Sequence, residues 1–339
     1  MTHMKTILAT TALAGSLALP AFAQDHTLRI STWLPPNHGI NTEIFGGLIE
    51  MMEEATGGAV SGELVSGLAP PPAQTDLILD GAADIAVIFH GYQPGRYVAT
   101  QLIELPGFEG SAEAASVAYW RVHEAHLAAL DEHRGVRVIA LHTHGPGQLH
   151  VTNEVATLAD LDGLQTRIGG GVAGNVGAEL GLVGVNVPAP QVYETLDSGA
   201  ADAVAMNVGE RIGFRLDEVA PHLFEMPGGF YRGSFALIMS EETFQSLPEE
   251  AQAALEAEVF GEPASRMAGA AWDLSDQLAY DAMGEGTTHT IASEADQAAF
   301  AEIAAGVRAA VLAELAEAGI DAEAAYQMVV DVMADEMAM

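Results

Sequence analysis

Leu164-Gln165-Thr166-Arg167-Ile168-Gly169-Gly170-Gly171-Val172-Ala173-Gly174 reads as a short strand, a glycine turn and the opening turn of a helix. A strand that passes through a tight turn into a helix is the repeating step of an α/β sheet. The step recurs on both sides. Downstream, strand-like residues 185–188 and 203–206 alternate with helical residues 172–181 and 191–198. Upstream, strands are expected over 27–32, 61–65, 85–89, 136–142 and 148–152, with helices over 42–56, 72–80 and 112–130. The rhythm of residues 27–142 starts afresh at 164, so the expected fold class is α/β with a parallel sheet in each of two lobes. A chain of 339 residues is too long for one ordinary core, which agrees with that division.

The glycine turn also carries the strongest chemical signal. Arg167 leaves its strand beside glycines that open a helix, which sets a fixed guanidinium next to free backbone N–H groups at a positive helix end. That combination suits a carboxylate. Gly169, Gly171 and Gly174 also spell G-x-G-x-x-G, the string of a dinucleotide site. Here, however, the first strand carries Arg167, and the second ends in Val187-Pro188 where an acid should stand.

Residues 1–23 read as an export leader, with Lys5 as the positive end, an apolar stretch over 6–19, and Ala21-Phe22-Ala23 at a cleavage point after Ala23. Periplasmic localisation is expected. Lys5 is the only lysine, so the mature chain sets eleven arginines against 47 acidic residues. Nucleic acid and anionic lipid are excluded as partners by that balance. With no cysteine there is no disulfide, thiolate nucleophile or thiolate metal site, and with no mature lysine there is neither a Schiff base nor a P-loop.

From Ser246 the pattern turns helical. Gly261-Glu262-Pro263 should break or kink the segment that runs to Met283, and residues 294–339 read as a helical tail. Tyr326, Val329, Met333 and Met337 lie at helical spacing on that tail and read as a packed face. His142-Thr143-His144 puts two imidazoles on one strand face with His150 nearby, the basis of a second reading as an exported hydrolase or metal-dependent enzyme. No acid stands close enough in sequence to complete a ligand set. His123-Glu124-Ala125-His126 is one residue short of the zinc-protease spacing.

Several segments, taken in order, resemble the periplasmic solute-binding subunits of tripartite ATP-independent periplasmic (TRAP) transporters, of the dicarboxylate-binding type. They are Trp33-Leu34-Pro35-Pro36, Gly81-Ala82-Ala83-Asp84-Ile85, Pro94-Gly95-Arg96-Tyr97, Glu104-Leu105-Pro106-Gly107-Phe108, Leu158 to Leu164 leading to Arg167, Val192-Tyr193-Glu194-Thr195-Leu196, Gly199-Ala200-Ala201-Asp202 and Ser246-Leu247-Pro248. The resemblance implies a two-lobed periplasmic binding protein fold with a hinge and a long helix bridging the lobes. Lobe I would comprise 24–144 with 233–272, and lobe II 145–232 with 273–339. It implies a monomer without cofactor or catalytic activity that captures a small organic acid and hands it to membrane subunits. Arg167 would pair with the ligand carboxylate. Asn207, or Met206 if the alignment slips by one, would add a contact from lobe II. Trp33, Phe89, His90, Gly169 and Tyr231 complete the expected site. In the sialic-acid branch a second arginine precedes the first by about twenty positions; here Gly147 stands there, which argues against such a sugar acid.

Overall fold

The computed structural model describes residues 26–284 and 286–339, so the expected leader and its cleavage point lie outside the described residues. Two sheets form. The first contains β1 (His26–Thr32), β2 (Val60–Ser66), β3 (Ile85–Phe89), β4 (Val136–Thr143) and β10 (Ser234–Ser240), in the order β2-β1-β3-β10-β4. The second contains β5 (Gly147–Val151), β6 (Gln165–Arg167), β7 (Val183–Val185), β8 (Ala203–Asn207), β9 (His222–Glu225) and β11 (His289–Ile291), in the order β11-β9-β5-β8-β6-β7. Each sheet belongs to one of the two expected lobes. β3 is Ile-Ala-Val-Ile-Phe and buried at every position, as a strand covered on both faces must be.

The sheets are mixed, not parallel throughout. β10 runs antiparallel to both β3 and β4, and β5 antiparallel to β8 and β9. The reason is topological. The chain passes from lobe I to lobe II at residues 144–146 and returns at 226–233, so the strand after each crossing enters its sheet from the cleft edge and runs opposite to the strands that end there.

Pro263 starts a helix and does not interrupt one. Gly261, at φ 87°, precedes the helix Glu262–Ala282, and Pro263 occupies its first turn, where a missing N–H costs nothing. The segment is therefore two helices, Glu249–Glu258 and the 21-residue Glu262–Ala282. The longer one packs on the helix Ala112–Val122 and on β4 in lobe I. It reaches lobe II through Asp276, whose Oδ1 accepts from Asn207 Nδ2 at 2.6 Å and from the Gly209 amide at 2.6 Å. This is the bridging helix.

The helical tail is not confined to lobe II. The helix Glu294–Glu317 packs on Val172–Glu179, whereas the last helix, Ala322–Met337, lies along Ala112–Val122 of lobe I. Glu336 fixes that docking through Arg266 at 2.7 Å and Arg121 at 3.0 Å. Of the tail's apolar stripe, Val329 and Met333 are buried, while Met337 is exposed.

Candidate functional site

Both sheets turn the same kind of edge toward the gap between the lobes. β1, β3, β4, β6 and β8 end there, and β10 begins there, which is where open α/β sheets place ligands. The cleft holds about 430 Å³ of non-atom space, part of it open solvent. Trp33, Phe89, Arg167, Gly169, Asn207, Tyr231 and Met206 all line it. Asn207 and Met206 both reach the cleft, so the two alignments do not compete.

Arg167 is 2% exposed, yet no carboxylate pairs with it among the described residues. Its Nε donates to Val187 O at 2.9 Å and its Nη2 to Tyr92 Oη at 3.1 Å. Tyr92 Oη also accepts the Ala189 amide at 2.8 Å, so the phenol spends its oxygen on two donors and keeps its own hydrogen to offer. A fixed guanidinium with an adjacent phenol proton has the donors a carboxylate needs.

Aromatic rings make the walls. Phe89 meets Tyr92 edge to face at 4.8 Å between centroids and leans on Phe235 at 5.0 Å. Trp272, from the bridging helix, packs on Phe235 at 5.4 Å. Trp33 donates Nε1 to Val87 O at 3.2 Å, leaving its ring as the contact surface. Tyr231 donates its hydroxyl to Ala205 O at 3.0 Å, and its ring fills the space above Gly147. A side chain at position 147 would run into that ring, so the second arginine of the sugar-acid pattern has no room.

The far end is polar. Glu210 and His38, both buried, meet at 3.0 Å. Asp276, behind Asn207, is pushed up to about 7 by burial, against the Asn207 and Gly209 hydrogen bonds that favour its ionised form. His144 is lowered to about 4 by burial and is therefore a neutral imidazole at neutral pH.

His90 is not in this cleft. It is buried against Tyr97 and His133, with Nδ1 3.1 Å from Ser234 Oγ and Nε2 2.9 Å from His133 Nε2. The helix end after the glycine turn is also otherwise employed. The Val172 amide donates to Glu104 Oε2 at 2.8 Å, so a carboxylate from lobe I occupies the position expected for the ligand. Ser234 Oγ donates to the other Glu104 oxygen, and burial pushes the Glu104 carboxyl up to about 7. Gly169 lines the cleft as bare backbone that lets the Phe89 ring approach.

Among the described residues, no three His, Cys, Asp or Glu side chains are arranged to hold a metal ion. His142 Nδ1 accepts the Trp272 indole N–H at 3.0 Å and its ring stacks on Phe235 at 5.3 Å, so the imidazole is packing and not a metal ligand. Cleft-lining residues missed in the sequence include Tyr92, His38, His144, Glu210, Phe235 and Trp272. Tyr92 alone had a local signal, two residues beyond the His90 that was chosen.

The family model DctP, bacterial extracellular solute-binding protein, family 7, matches residues 30–314. A TRAP periplasmic solute binding protein from Bordetella bronchiseptica, solved with bound (R)-mandelate and (S)-mandelate, is 32% identical with a TM-score of 0.88, covering 91% of this chain and 99% of its own. A TRAP solute binding protein from Rhodoferax ferrireducens, in complex with copurified benzoate, is 26% identical with a TM-score of 0.85, covering 92% and 99%. The outer membrane transporter protein TsaT of Comamonas testosteroni is 26% identical over 94% of this chain and 95% of its own. The dicarboxylate-binding type expected from the sequence is not what these solved relatives hold, since mandelate and benzoate each carry one acid group. TRAP solute-binding proteins are extracytoplasmic, are not enzymes and work with membrane transporter subunits. With its two lobes, its bridging helix and a family match over most of its length, the chain belongs to the bacterial extracellular solute-binding protein family 7 and is a TRAP solute-binding protein.

Proposed function

We propose that the protein captures an aromatic monocarboxylate in the periplasm, after cleavage behind Ala23, and delivers it as a monomer to membrane subunits without altering it. The reading is carried by Arg167, buried in an aromatic-walled cleft without an acid partner among the described residues. A ligand with one carboxylate neutralises that charge, and a ring fills the slot between Trp33, Phe89, Phe235 and Trp272. The mandelate and benzoate found in relatives support the same class. A diacid suits the cleft poorly, because its second carboxylate would meet the Glu210 end. The hydrolase or metal-enzyme reading has no observation in its favour once His142 is committed to Trp272.

Thermal melting against benzoate, mandelate, succinate and glucose tests this. A bound acid at 100 times its dissociation constant stabilises the fold by about 2.7 kcal/mol. Benzoate or mandelate should raise the melting temperature and glucose should not. A panel in which only succinate or glucose acts would overturn the proposal.

A further inference from the structure

The end of the cleft remote from Arg167 is built of hydrogen-bond acceptors. Ile40 donates its amide to His38 Nδ1 at 3.1 Å, so that nitrogen is bare and the ring proton sits on Nε2, which donates to Glu210 Oε2 at 3.0 Å. Glu210 Oε1 then has no protein partner among the described residues, although the residue is 3% exposed. His144 repeats the pattern. Its Nδ1 faces the Gly145 carbonyl at 2.5 Å and must carry the hydrogen, because a carbonyl only accepts, so Nε2 offers a lone pair. Asn207 commits Nδ2 to Asp276 and keeps Oδ1 for the cleft.

We propose that this end recognises a hydrogen-bond donor on the ligand, a hydroxyl or amino group on the part of the ring away from its carboxylate. Glu210 is the specificity-determining residue, and His38 is the positioning residue that holds it. The inference rests on the aromatic-acid reading and sharpens it to hydroxyaryl or aminoaryl monocarboxylates. A buried acceptor is satisfied by water in the open cleft and by a ligand donor in the closed one. A methyl group in the same place strips the water and returns nothing, and a site built to hydrogen-bond a substrate group rejects an analogue lacking it more strongly than an apolar pocket rejects a change of size.

Titration calorimetry with size-matched pairs decides the matter: 3-hydroxybenzoate, 3-aminobenzoate and 3-methylbenzoate, and their 4-substituted counterparts. The wild-type protein should bind a hydroxy or amino member at least tenfold tighter than its methyl counterpart in one of the two series. In Glu210→Gln that ratio should fall below threefold. Equal wild-type affinities within both series would overturn the inference while leaving the aromatic-acid reading intact, and so would a ratio that survives in Glu210→Gln. Failure of all six acids and of benzoate to bind would overturn both. The wild-type ratio decides alone if the variant does not fold.

Discussion

A guanidinium moved from water into a protein interior loses several kcal/mol of hydration, and Arg167 recovers only part of it from Val187 O and Tyr92 Oη. On the proposed reading the remainder comes back when the ligand carboxylate binds. Truncating one member of such a desolvated pair costs on the order of 2–5 kcal/mol, which is roughly a 30- to 4,000-fold loss of affinity. Calorimetry on Arg167→Ala should therefore find binding nearly abolished. Arg167→Lys should also bind poorly, because a point charge cannot reach Val187, Tyr92 and the ligand together. Arg96→Ala should bind almost as wild type, since Arg96 packs over the Tyr97 ring, away from the cleft. Near-native affinity in Arg167→Ala would mean the site is wrong. That Arg167, Asn207, Trp33 and Phe89 would line the cleft was legible because each stands at a strand end, and strand ends can be read from local pattern. Glu210 and His38 lie 172 residues apart, and nothing in either neighbourhood announces the other. His90 misled because burial at a strand end looks the same from sequence whether the side chain faces the ligand or the core.

The turn at Gly169-Gly170-Gly171 reads as a ligand cradle; Gly169 does line the cleft, while Gly170 and Gly171 are where the lobes touch. Gly170, at φ 102°, lies so close to the Gly91 carbonyl of lobe I that a Cβ there would collide with it, and one on Gly171 would strike Glu104. Gly170→Ala should cost about 1–3 kcal/mol of stability through backbone strain, a term present in open and closed forms alike. That clash lies between the lobes, so ligand affinity, which depends on closure in a two-lobed fold, should fall at least tenfold beyond the loss of stability. Calorimetry and denaturant melts on one preparation separate the two effects, and unchanged affinity would show that closure does not need this approach. Elsewhere the first-pass strands were found close to where their patterns suggested, but β9, β10 and β11 were not foreseen. β10, Ser-Phe-Ala-Leu-Ile-Met-Ser, is buried at all seven positions, and its short apolar run lacks the alternation that marks a strand. Its partners, β3 and β4, lie far back in sequence.

Five buried histidines, His90, His133, His142, His144 and His150, are all held below the usual imidazole range, with burial as the leading cause. Each binds fewer protons in the folded than in the unfolded state below about pH 6.5, so stability is lost as pH falls from there toward 4. Glu104 and Asp276 act oppositely. Raised to about 7, they hold protons that the unfolded chain would release, and they gain stability as pH falls from 7 toward the ordinary carboxyl range. With His123 also lowered to about 4 and Glu132 and Asp273 also raised by burial, six histidines stand against four carboxyls. The melting temperature in 1 M NaCl, where screening shortens surface repulsion to about 3 Å, should therefore be lower at pH 5 than at pH 7.5. A higher value at pH 5 would mean that the raised carboxyls dominate.

Asp276 gives the molecule one further property. It stands on a helix packed mainly on lobe I, which also touches Glu210–Gly213 of lobe II, and it grips the cleft residue Asn207 and the Gly209 amide. Those two residues cannot shift toward a captured molecule without pulling on the helix. The helix thus links the cleft to the back of lobe I, where the final helix is strapped on by Glu336. A membrane subunit resting on that outer surface could sense a filled cleft without ever touching what fills it.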